Sequence, residues 1–364
     1  MDKSSQRELR TLGAACSISE LMLDLAKALA GNGPALGFGE IASTSVPERI
    51  AVVIGTSGST GKPKEVALGA PALIASARAS NNFLGAKFGE VWSLLLPLTH
   101  IAAVNVLVRC LELGTTPVDL RQSHYFRKVD FTAIVPTQLF RALNGDDALL
   151  EHLRNCQKVL VGGAALPDAI RTRAIESGIN VVSTYGMTET SGGCVYDGSP
   201  LEGVTAEIDS NGIIKIFGST NASTYLNNPQ EWESSNIDGW FITDDRGKFV
   251  DGKLVVEGRV DDVIVSGGKK LSLSAVEVAL SAGFPQIECA AFALDDAEWG
   301  SALHLAIASN HEVDRLGISH YLAAALGDVA KPKGFLMLPS LPTFGVGKID
   351  RKALVQLALH ERQS

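Results

Sequence analysis

A short apolar run that ends in a loop of glycines and hydroxyl residues constrains this chain more than any other feature. Residues 50–54 read IAVVI, and the loop that follows is Thr56-Ser57-Gly58-Ser59-Thr60-Gly61-Lys62-Pro63-Lys64. Glycines let a backbone approach an anion closely, and successive N–H groups, four hydroxyls and the charge of Lys64 can surround a phosphate. The pattern therefore predicts a buried strand followed by a phosphate-binding loop.

The loop differs from a Walker A motif. Five residues separate Gly55 from Gly61 where that motif has four, and Pro63 stands where a Ser or Thr would bind magnesium. The alternative is a flexible Gly/Ser loop at the surface. The preceding strand and the Pro-Lys ending favour a phosphate site instead.

Strands and helices alternate in the first half of the chain. Helical spacing begins at Ser19, read as the cap, and stops at Gly31, and a second helix opens at Pro71. Further apolar runs predict strands at 92–96, 133–135, 158–161 and 180–182, with a helix at 167–177. Such alternation predicts an α/β fold with a largely parallel sheet.

The pattern changes after about Gly203. Short alternating segments at 213–217 and 253–257 predict a β-rich subdomain with mixed sheets. From Arg259 the order strand, helix, strand, strand, helix, strand, helix predicts a small α+β domain. The boundary is placed at 258–262, which gives a large domain of residues 1–258 and a small one of residues 259–364.

Composition excludes several classes of protein. The formal net charge is −8 and no Lys/Arg block is present, so we expect no nucleic-acid partner. The most apolar stretch, residues 93–108, is interrupted by Pro97, His100 and Asn105, so we expect no membrane span. The five cysteines form no C-x-x-C pair and the N-terminus lacks an apolar signal. These features predict a cytoplasmic protein with reduced thiols.

Further segments place polar residues at predicted turns. In chain order they are Pro97-Leu98-Thr99-His100, Tyr185-Gly186-Met187-Thr188-Glu189-Thr190, Thr243-Asp244-Asp245-Arg246-Gly247, Gly258-Arg259-Val260-Asp261 and Gly345-Val346-Gly347-Lys348. With the phosphate loop, they resemble the ordered signatures of the adenylate-forming superfamily, which includes acyl-CoA synthetases, adenylation domains and luciferases. The resemblance covers nearly the whole chain. It implies an acyl-CoA synthetase-like fold and an enzyme that uses ATP and Mg²⁺ to activate a carboxylic acid as an acyl-AMP.

The resemblance also implies roles for individual residues at the nucleotide. Tyr185 would stack on adenine, Glu189 would hold Mg²⁺, and Asp245 would bind the ribose. The full implied nucleotide set is Thr56, Ser57, Gly58, Ser59, Thr60, Gly61, Lys64, Gly163, Tyr185, Gly186, Thr188, Asp245 and Arg259. This chain has Asp244 where the family usually has glycine.

Catalysis and acyl transfer have their own implied residues. Lys348 matches the catalytic lysine of the family, and His100 and Glu189 complete the catalytic set. The acid would contact His100, Arg109, Gly162, Gly186 and Thr190. Coenzyme A would approach Gly267, Gly268 and Lys270, and the small domain would rotate about Asp261.

Two features narrow the acid. The loop begins earlier than in most of the superfamily, and in this the chain is similar to the short actinobacterial o-succinylbenzoate–CoA ligases of menaquinone biosynthesis. Arg109 lies in the apolar stretch 104–113 and needs an anionic partner, which is either the ring carboxylate of this acid or a protein carboxylate. Another aryl or alkyl acid, a carrier-loading adenylation enzyme and a non-catalytic binding protein are the alternatives. Loss of N-terminal packing would expose apolar surface and favour a homodimer.

Overall fold

The computed structural model describes residues 5–12, 17–56, 63–123, 126–309, 312–344 and 348–361. Most of the predicted phosphate loop, from Ser57 to Lys62, lies outside the described residues. The backbone of Lys348 is described, whereas its side chain is not.

The first sheet is built from the N-terminal residues and one later strand. In chain order the elements are β1 (Gln6–Thr11), α1 (Ile18–Leu29), β2 (Ala35–Phe38), β3 (Ser45–Pro47), β4 (Ile50–Thr56), β5 (Lys64–Gly69) and α2 (Ala70–Leu84). β1, β2 and β4 are parallel neighbours, while β3 and β5 run antiparallel at the two sides. The apolar run before the loop is thus the buried strand that the sequence predicts.

The helix α1 begins earlier than predicted. Its N-cap is Ser17 and not Ser19, because the Ser17 hydroxyl accepts from the N–H of Glu20 while the Glu20 carboxylate accepts from the N–H of Ser17. This reciprocal pair satisfies two donors that the first helical turn leaves open. The prediction assigned the cap to a residue that lies inside the first turn.

The second sheet carries most of the predicted strands. Its region contains β6 (Trp92–Leu94), α3 (Ile101–Glu112), β7 (Val118–Asp119), β8 (Phe131–Ile134), α4 (Pro136–Leu143), α5 (Asp147–Asn155), β9 (Lys158–Val161), α6 (Asp168–Glu176), β10 (Val181–Met187), β11 (Gly192–Tyr196) and β12 (Ser199–Pro200). β7, β6, β8, β9 and β10 are parallel in that order, and β11 and β12 continue the sheet antiparallel.

Both faces of this parallel sheet are covered, as parallel strands require. One hydrophobic cluster joins the two sheets through α1, α2 and α3, and a second packs α4, α5 and α6 on the far face. Most apolar side chains of residues 93–108 therefore belong to the core, although His100 is exposed. No helix among the described residues is long and apolar enough to cross a membrane. The α/β fold class is confirmed.

The predicted β-rich subdomain is an antiparallel sheet. It contains β13 (Val204–Ile208), β14 (Ile213–Gly218), β16 (Asn236–Ile237), β17 (Trp240–Val250) and β18 (Lys253–Arg259), together with the helix α7 (Pro229–Ser235). The remaining strand, β15 (Thr224–Tyr225), leaves this region and pairs with β5 of the first sheet. Residues of β14 and β18 pack on β11, so this sheet covers the β10–β11 hairpin.

The C-terminal residues form an α+β unit with more strands than predicted. A 3-10 turn at Val260–Asp262 leads into β19 (Val263–Ser266), β20 (Lys269–Ser272), α8 (Leu273–Gly283), β21 (Glu288–Asp296), β22 (Gly300–Ala308), α9 (Arg315–Leu326), β23 (Gly334–Leu338), β24 (Thr343–Phe344), β25 (Lys348–Ile349) and α10 (Arg351–Glu361). The boundary predicted at 258–262 falls on the end of β18 and this turn. That it separates two domains stays a prediction.

Candidate active site

The carboxyl ends of β9 and β10 lie side by side and present the polar turns that the sequence singled out. Gly162 and Gly163 follow β9, and the 3-10 turn Thr188–Thr190 follows β10. The parallel register pairs residues 181–183 with 159–161, so Gly162 lies beside Thr184, and β10 continues to Met187 before the Thr188–Thr190 turn begins. The sheet therefore places Gly162 beside the second half of β10, the strand that leads into this turn.

Glycine at 162 and 186 is required by packing. A Cβ on Gly162 would lie 2.2 Å from the hydroxyl of Thr184, and one on Gly186 would lie 2.1 Å from the carbonyl of Gly192. The register of β10 against β11 shifts between Tyr185 and Gly186, which is where this close approach occurs. Both positions were predicted to contact the acid, and that contact stays a prediction.

Glu189 is held from outside its own turn. The hydroxyl of Tyr225 donates a hydrogen bond of 2.8 Å to Glu189 Oε1, and Tyr225 is 1% exposed. The ammonium of Lys64 lies 4.9 Å from the centre of the Tyr225 ring and 2.7 Å from the carboxylate of Glu231. The predicted magnesium ligand and the last residue of the predicted phosphate loop thus meet at one tyrosine.

Tyr185, Asp245 and Arg259 form a second group beside β10. The hydroxyl of Tyr185 donates to Asp245 Oδ2 at 2.9 Å. The guanidinium of Arg259 binds Asp261 at 2.7 Å and also lies 3.3 Å from Asp244 and 3.9 Å from Asp245. The aspartate in place of the usual glycine is therefore a partner of Arg259, and it is itself exposed.

Burial and neighbouring charged groups shift the pKa values of Asp245, Arg259 and Tyr185. Burial raises the pKa of Asp245, and the negative charges of Asp244 and Asp261 raise it further, against the hydrogen bond from Tyr185 and the charge of Arg259. The hydrogen bond to Asp261 holds the pKa of Arg259 above its usual range. Burial also raises the pKa of Tyr185, so its hydroxyl remains a donor. Asp245 would bind a ribose only in its ionised form as a double acceptor.

His100 and Arg109 lie at opposite ends of α3. His100 is the N-cap residue, is exposed, and has its Nδ1 2.9 Å from the hydroxyl of Thr99. Arg109 lies in the last turn of the helix and is 3% exposed. A helix rises about 1.5 Å per residue, so about 14 Å of helix separates the two positions.

The surroundings of Arg109 are neutral. Its Nη2 donates to the hydroxyl of Tyr196 at 3.0 Å, and its guanidinium stacks 4.8 Å from the centre of the Trp92 ring. Tyr196 in turn shares a 2.9 Å hydrogen bond with Ser80, and both are buried. Within the described ranges no carboxylate forms an ion pair with Arg109. The alternative of a protein carboxylate as its partner finds no support in these residues.

Two buried donors in this region have no partner among the described residues. They are Nε of Arg109 and Nε1 of Trp92. A buried N–H without an acceptor costs free energy that a bound anion would recover. The end of α3 thus combines a buried positive charge with open donor positions.

Comparison with known proteins shows to which family this chain belongs. A sequence model of the AMP-binding enzyme family matches residues 5–251. The chain belongs to the AMP-binding enzyme family. It is 38% identical over 330 residues to a probable 2-succinylbenzoate–CoA ligase of Mycobacterium tuberculosis, with 85% of each chain covered. It is 30% identical to the 2-succinylbenzoate–CoA ligase of Escherichia coli K12, over 87% of this chain and 71% of the other.

Solved structures agree with this membership. A variant of E. coli MenE with bound OSB-AMS is 27% identical and superposes with a TM-score of 0.72, over 88% of this chain and 71% of the other. The o-succinylbenzoate CoA synthetase (MenE) of Bacillus subtilis with its acyl-adenylate intermediate OSB-AMP is 24% identical, with a TM-score of 0.74 over 95% and 82% of the two chains. The second likeness establishes the shared fold.

Thr190, which was predicted to contact the acid in this AMP-binding enzyme, has a hydroxyl that is hydrogen-bonded within the protein. The hydroxyl of Thr190 accepts from the N–H of Met187 and donates within the turn, to the carbonyl of Gly192 at 2.8 Å. Thr190 is fully buried. Its hydroxyl therefore helps to close the turn that presents Glu189, and its contact with the acid stays a prediction.

The hairpin between β19 and β20 contains the residues predicted for coenzyme A. Gly267 and Gly268 have φ of 54° and 77°, which side chains rarely adopt. A Cβ on Gly267 would lie 2.7 Å from the ring of Trp299, whose carbonyl accepts from the N–H of Gly267. Lys270 is exposed on β20. The turn has the close backbone surface that the prediction requires, and the role in coenzyme A binding stays a prediction.

Sequence reasoning missed the residues that hold the predicted groups in place. The sequence reasoning assigned no contact to Tyr225, Glu231 or Tyr196, yet they contact Lys64, Glu189 and Arg109. The contact of Tyr225 with Glu189 joins residues 36 positions apart, and that of Arg109 with Tyr196 joins residues 87 apart. No local spacing signals such pairs.

Proposed function

We propose that this AMP-binding enzyme is an ATP-dependent ligase that converts o-succinylbenzoate (2-succinylbenzoate) and coenzyme A to o-succinylbenzoyl-CoA, AMP and diphosphate. Such a reaction belongs to menaquinone biosynthesis. The observation that carries the proposal is the buried environment of Arg109, with which no carboxylate of the described residues forms an ion pair. The names of the relatives and the bound OSB-AMS of one structural neighbour support the same acid.

The acid has two carboxylates, and the site must treat them differently. The succinyl carboxylate is activated, while the ring carboxylate keeps its charge and needs a partner in an apolar environment. Arg109 offers that partner, since its guanidinium is buried among Trp92 and Tyr196 and its Nε has no acceptor among the residues that the structure describes. A cation held only by neutral groups is stabilised most by an incoming anion.

In the first half-reaction an oxygen of the succinyl carboxylate attacks the α-phosphorus of ATP. A bond forms between this oxygen and the α-phosphorus, and the bond from the α-phosphorus to the leaving diphosphate breaks. Both reactants are anions, so their approach depends on fixed positive charge and on backbone donors. Lys64, Lys348 and the N–H groups of the phosphate loop are the proposed sources.

The residues present fit a magnesium ion at Glu189. Its Oε1 accepts from Tyr225, which leaves Oε2 as a hard oxygen ligand of the kind that Mg²⁺ prefers. When bound with ATP, Mg²⁺ would neutralise phosphate charge. Thr188, in the same turn, would contact the phosphate, and Asp245 would hold the ribose.

In the second half-reaction the thiol of coenzyme A attacks the acyl carbon, and AMP leaves. The proposed small domain of residues 259–364 rotates about Asp261 for this step, so that Lys348 departs and the Gly267-Gly268 turn arrives. The ion pair of Arg259 with Asp261 spans this hinge position. His100, at the exposed start of α3, would line the entrance between acid and nucleotide. The homodimer stays a prediction.

One assay tests the proposal. The enzyme receives ATP, Mg²⁺, coenzyme A and either o-succinylbenzoate or 4-oxo-4-phenylbutanoate, which lacks only the ring carboxylate, and thioester is followed by mass. We expect a preference for o-succinylbenzoate in kcat/KM of about 10-fold to 100-fold, since a charge-assisted contact contributes about 1.5–3 kcal/mol.

Other outcomes assign the alternatives. Equal use of both acids would contradict recognition of the ring carboxylate. Acid-dependent ATP–pyrophosphate exchange without thioester, together with transfer to a phosphopantetheinyl protein, would identify a carrier-loading enzyme. No exchange with any acid would identify a binding protein.

A further inference from the structure

We propose that Tyr225 is a positioning residue that fixes the carboxylate of Glu189 and the ammonium of Lys64 relative to each other, and thereby sets the affinity for the magnesium–nucleotide complex. The inference rests on the proposed function, in which Glu189 holds Mg²⁺ and Lys64 binds phosphate. It adds a residue that no sequence motif considered above contains.

Tyr225 uses both its edge and its face. Its hydroxyl donates to Glu189 Oε1 at 2.8 Å, while the ammonium of Lys64 lies 4.9 Å from the ring centre. The side chain is 1% exposed. Glu189 and Lys64, which lie far apart in the chain, therefore both contact the same rigid, buried ring.

The ring itself is held tightly. Tyr225 pairs with Val66 of β5, so its backbone belongs to the same sheet as the end of the phosphate loop. Trp232 packs edge-on against the ring at 5.2 Å and stacks on Phe241 at 5.6 Å. Because packing fixes the ring, the groups that contact the ring are also held in place.

The residues after Tyr225 bind the backbone on either side of Lys64. Asn227 donates to the carbonyl of Pro63 at 2.7 Å and accepts from the N–H of Glu65 at 3.0 Å. Glu231 completes the arrangement with its 2.7 Å ion pair to Lys64. The segment 225–231 thus fixes the side chain and the backbone of Lys64 together.

The hydrogen bond has a chemical consequence for the metal. It engages Oε1 and orients the carboxylate, which leaves Oε2 for Mg²⁺, an ion that demands near-ideal geometry. Partners that orient a metal-binding group are worth about 10-fold to 100-fold in metal affinity.

The test is the magnesium dependence of acid-dependent ATP–pyrophosphate exchange. Tyr225→Phe keeps the ring and its contacts with Lys64 and Trp232 and removes only the hydroxyl. We expect the half-saturating Mg²⁺ concentration to rise about 10-fold or more, with KM for the acid within about two-fold of its original value. Tyr321→Phe, in the C-terminal unit, is the matched control and should leave the Mg²⁺ dependence unchanged.

A second variant tests the Lys64 half and does not depend on the first. Asn227→Ala frees the backbone around Lys64 and leaves the Tyr225 hydroxyl in place. We expect KM for ATP to rise several-fold at saturating Mg²⁺, with little change in half-saturating Mg²⁺. An unchanged KM for ATP would overturn the part of the proposal that concerns Lys64, even if Tyr225→Phe fails to fold.

Glu189→Gln separates this inference from the proposed function. If that variant keeps the original Mg²⁺ dependence, Glu189 is not a metal ligand and the proposed site is wrong. If Glu189→Gln shifts the dependence while Tyr225→Phe does not, the site stands and the role of Tyr225 is refuted. A loss of kcat in Tyr225→Phe without a Mg²⁺ shift would indicate a purely structural residue and would also refute it.

Discussion

The two faces of the β10–β11 hairpin carry one tyrosine each, and the tyrosines have different partners: Tyr196 contacts Arg109, and Tyr185 contacts Asp245 beside Arg259. Tyr196, paired with Thr184, contacts Arg109 on the side of α2 and α3. Tyr185, paired with Val195, contacts Asp245 on the side of the antiparallel sheet, where Arg259 lies. Because successive residues of a strand point to opposite faces, adjacent register pairs serve separate sites.

The difference lies in the counter-charges. Arg109 is buried and has neutral partners, whereas Arg259 is half-buried and lies among Asp244, Asp245 and Asp261. A cation that has no carboxylate partner can bind an external anion. A cation that already contacts several carboxylates instead holds those carboxylates together. We therefore expect the face with Arg109 to bind the ring carboxylate of the acid, and the face with Arg259 to connect the ribose site to the hinge.

The largest effect is expected from Arg109→Ala. Loss of the buried cation should raise KM for o-succinylbenzoate by about 100-fold, since a charged hydrogen-bonded contact contributes about 1.5–3 kcal/mol. KM for 4-oxo-4-phenylbutanoate should change by less than about three-fold. Steady-state kinetics with both acids measure this. Unchanged KM for o-succinylbenzoate would remove Arg109 from the acid site.

Arg259→Ala should act on the other face. Removing the connector among three carboxylates should lower kcat/KM by about 10-fold, and by the same factor for both acids, because the ring carboxylate is not involved. Parallel assays with the two acids provide the comparison. An effect on o-succinylbenzoate alone would break the proposed division between the faces.

The two tyrosines offer a matched pair with smaller effects. Tyr196→Phe should raise KM for o-succinylbenzoate by about two-fold to ten-fold, as expected for one lost hydrogen bond, and leave KM for ATP unchanged. Tyr185→Phe should raise KM for ATP and leave KM for the acid unchanged. Each variant is the control of the other, and identical changes in both would argue against separate roles.

Asp244→Gly should have the smallest effect at neutral pH, because its ion pair with Arg259 is exposed; we expect less than about a five-fold change in KM for ATP. Its effect on the pH profile is more informative. The charge of Asp244 adds to burial in raising the pKa of Asp245. Protonated Asp245 is a poorer acceptor for ribose hydroxyls, so KM for ATP rises as pH falls through that pKa.

Removal of Asp244 lowers the pKa of Asp245 and should therefore move this rise to lower pH. KM for ATP measured from about pH 8 to about pH 5 tests the sign. A shift of the rise to higher pH would show that Asp244 acts mainly through its hold on Arg259.

Local elements were predicted well where the signal lies within a few residues. The strand at 158–161 has its predicted bounds, and the segment at 253–257 extends only to Arg259. The cap of α1 was misplaced because Ser17 and Ser19 both precede an apolar spacing, and only the reciprocal bond with Glu20 distinguishes them. The extra strands after Gly258 are short, and short strands carry little periodic signal.

The candidate site was predicted in its motifs but not in its support. Glu189 and Asp245 belong to segments that the sequence singled out, and the structure gives each a defined hydrogen-bond partner. Those partners are Tyr225, which was not predicted, and Tyr185, which was predicted for adenine. Thr190 was predicted to contact the acid, which stays a prediction; its hydroxyl is hydrogen-bonded to Met187 and Gly192.

The sequence by itself determined the chemistry of the turns: a glycine- and hydroxyl-rich loop after a buried strand, a single carboxylate after another, and a cation in an apolar stretch. These properties depend on residue type and local spacing, whereas the structure showed that the apolar stretch around Arg109 is the helix α3. The tertiary structure alone decided which groups meet. It gave Arg109 neutral partners and no protein carboxylate within the described residues, and it placed Tyr225 between Glu189 and Lys64. Such contacts depend on how sheets and helices pack, because they join residues that lie far apart in the chain.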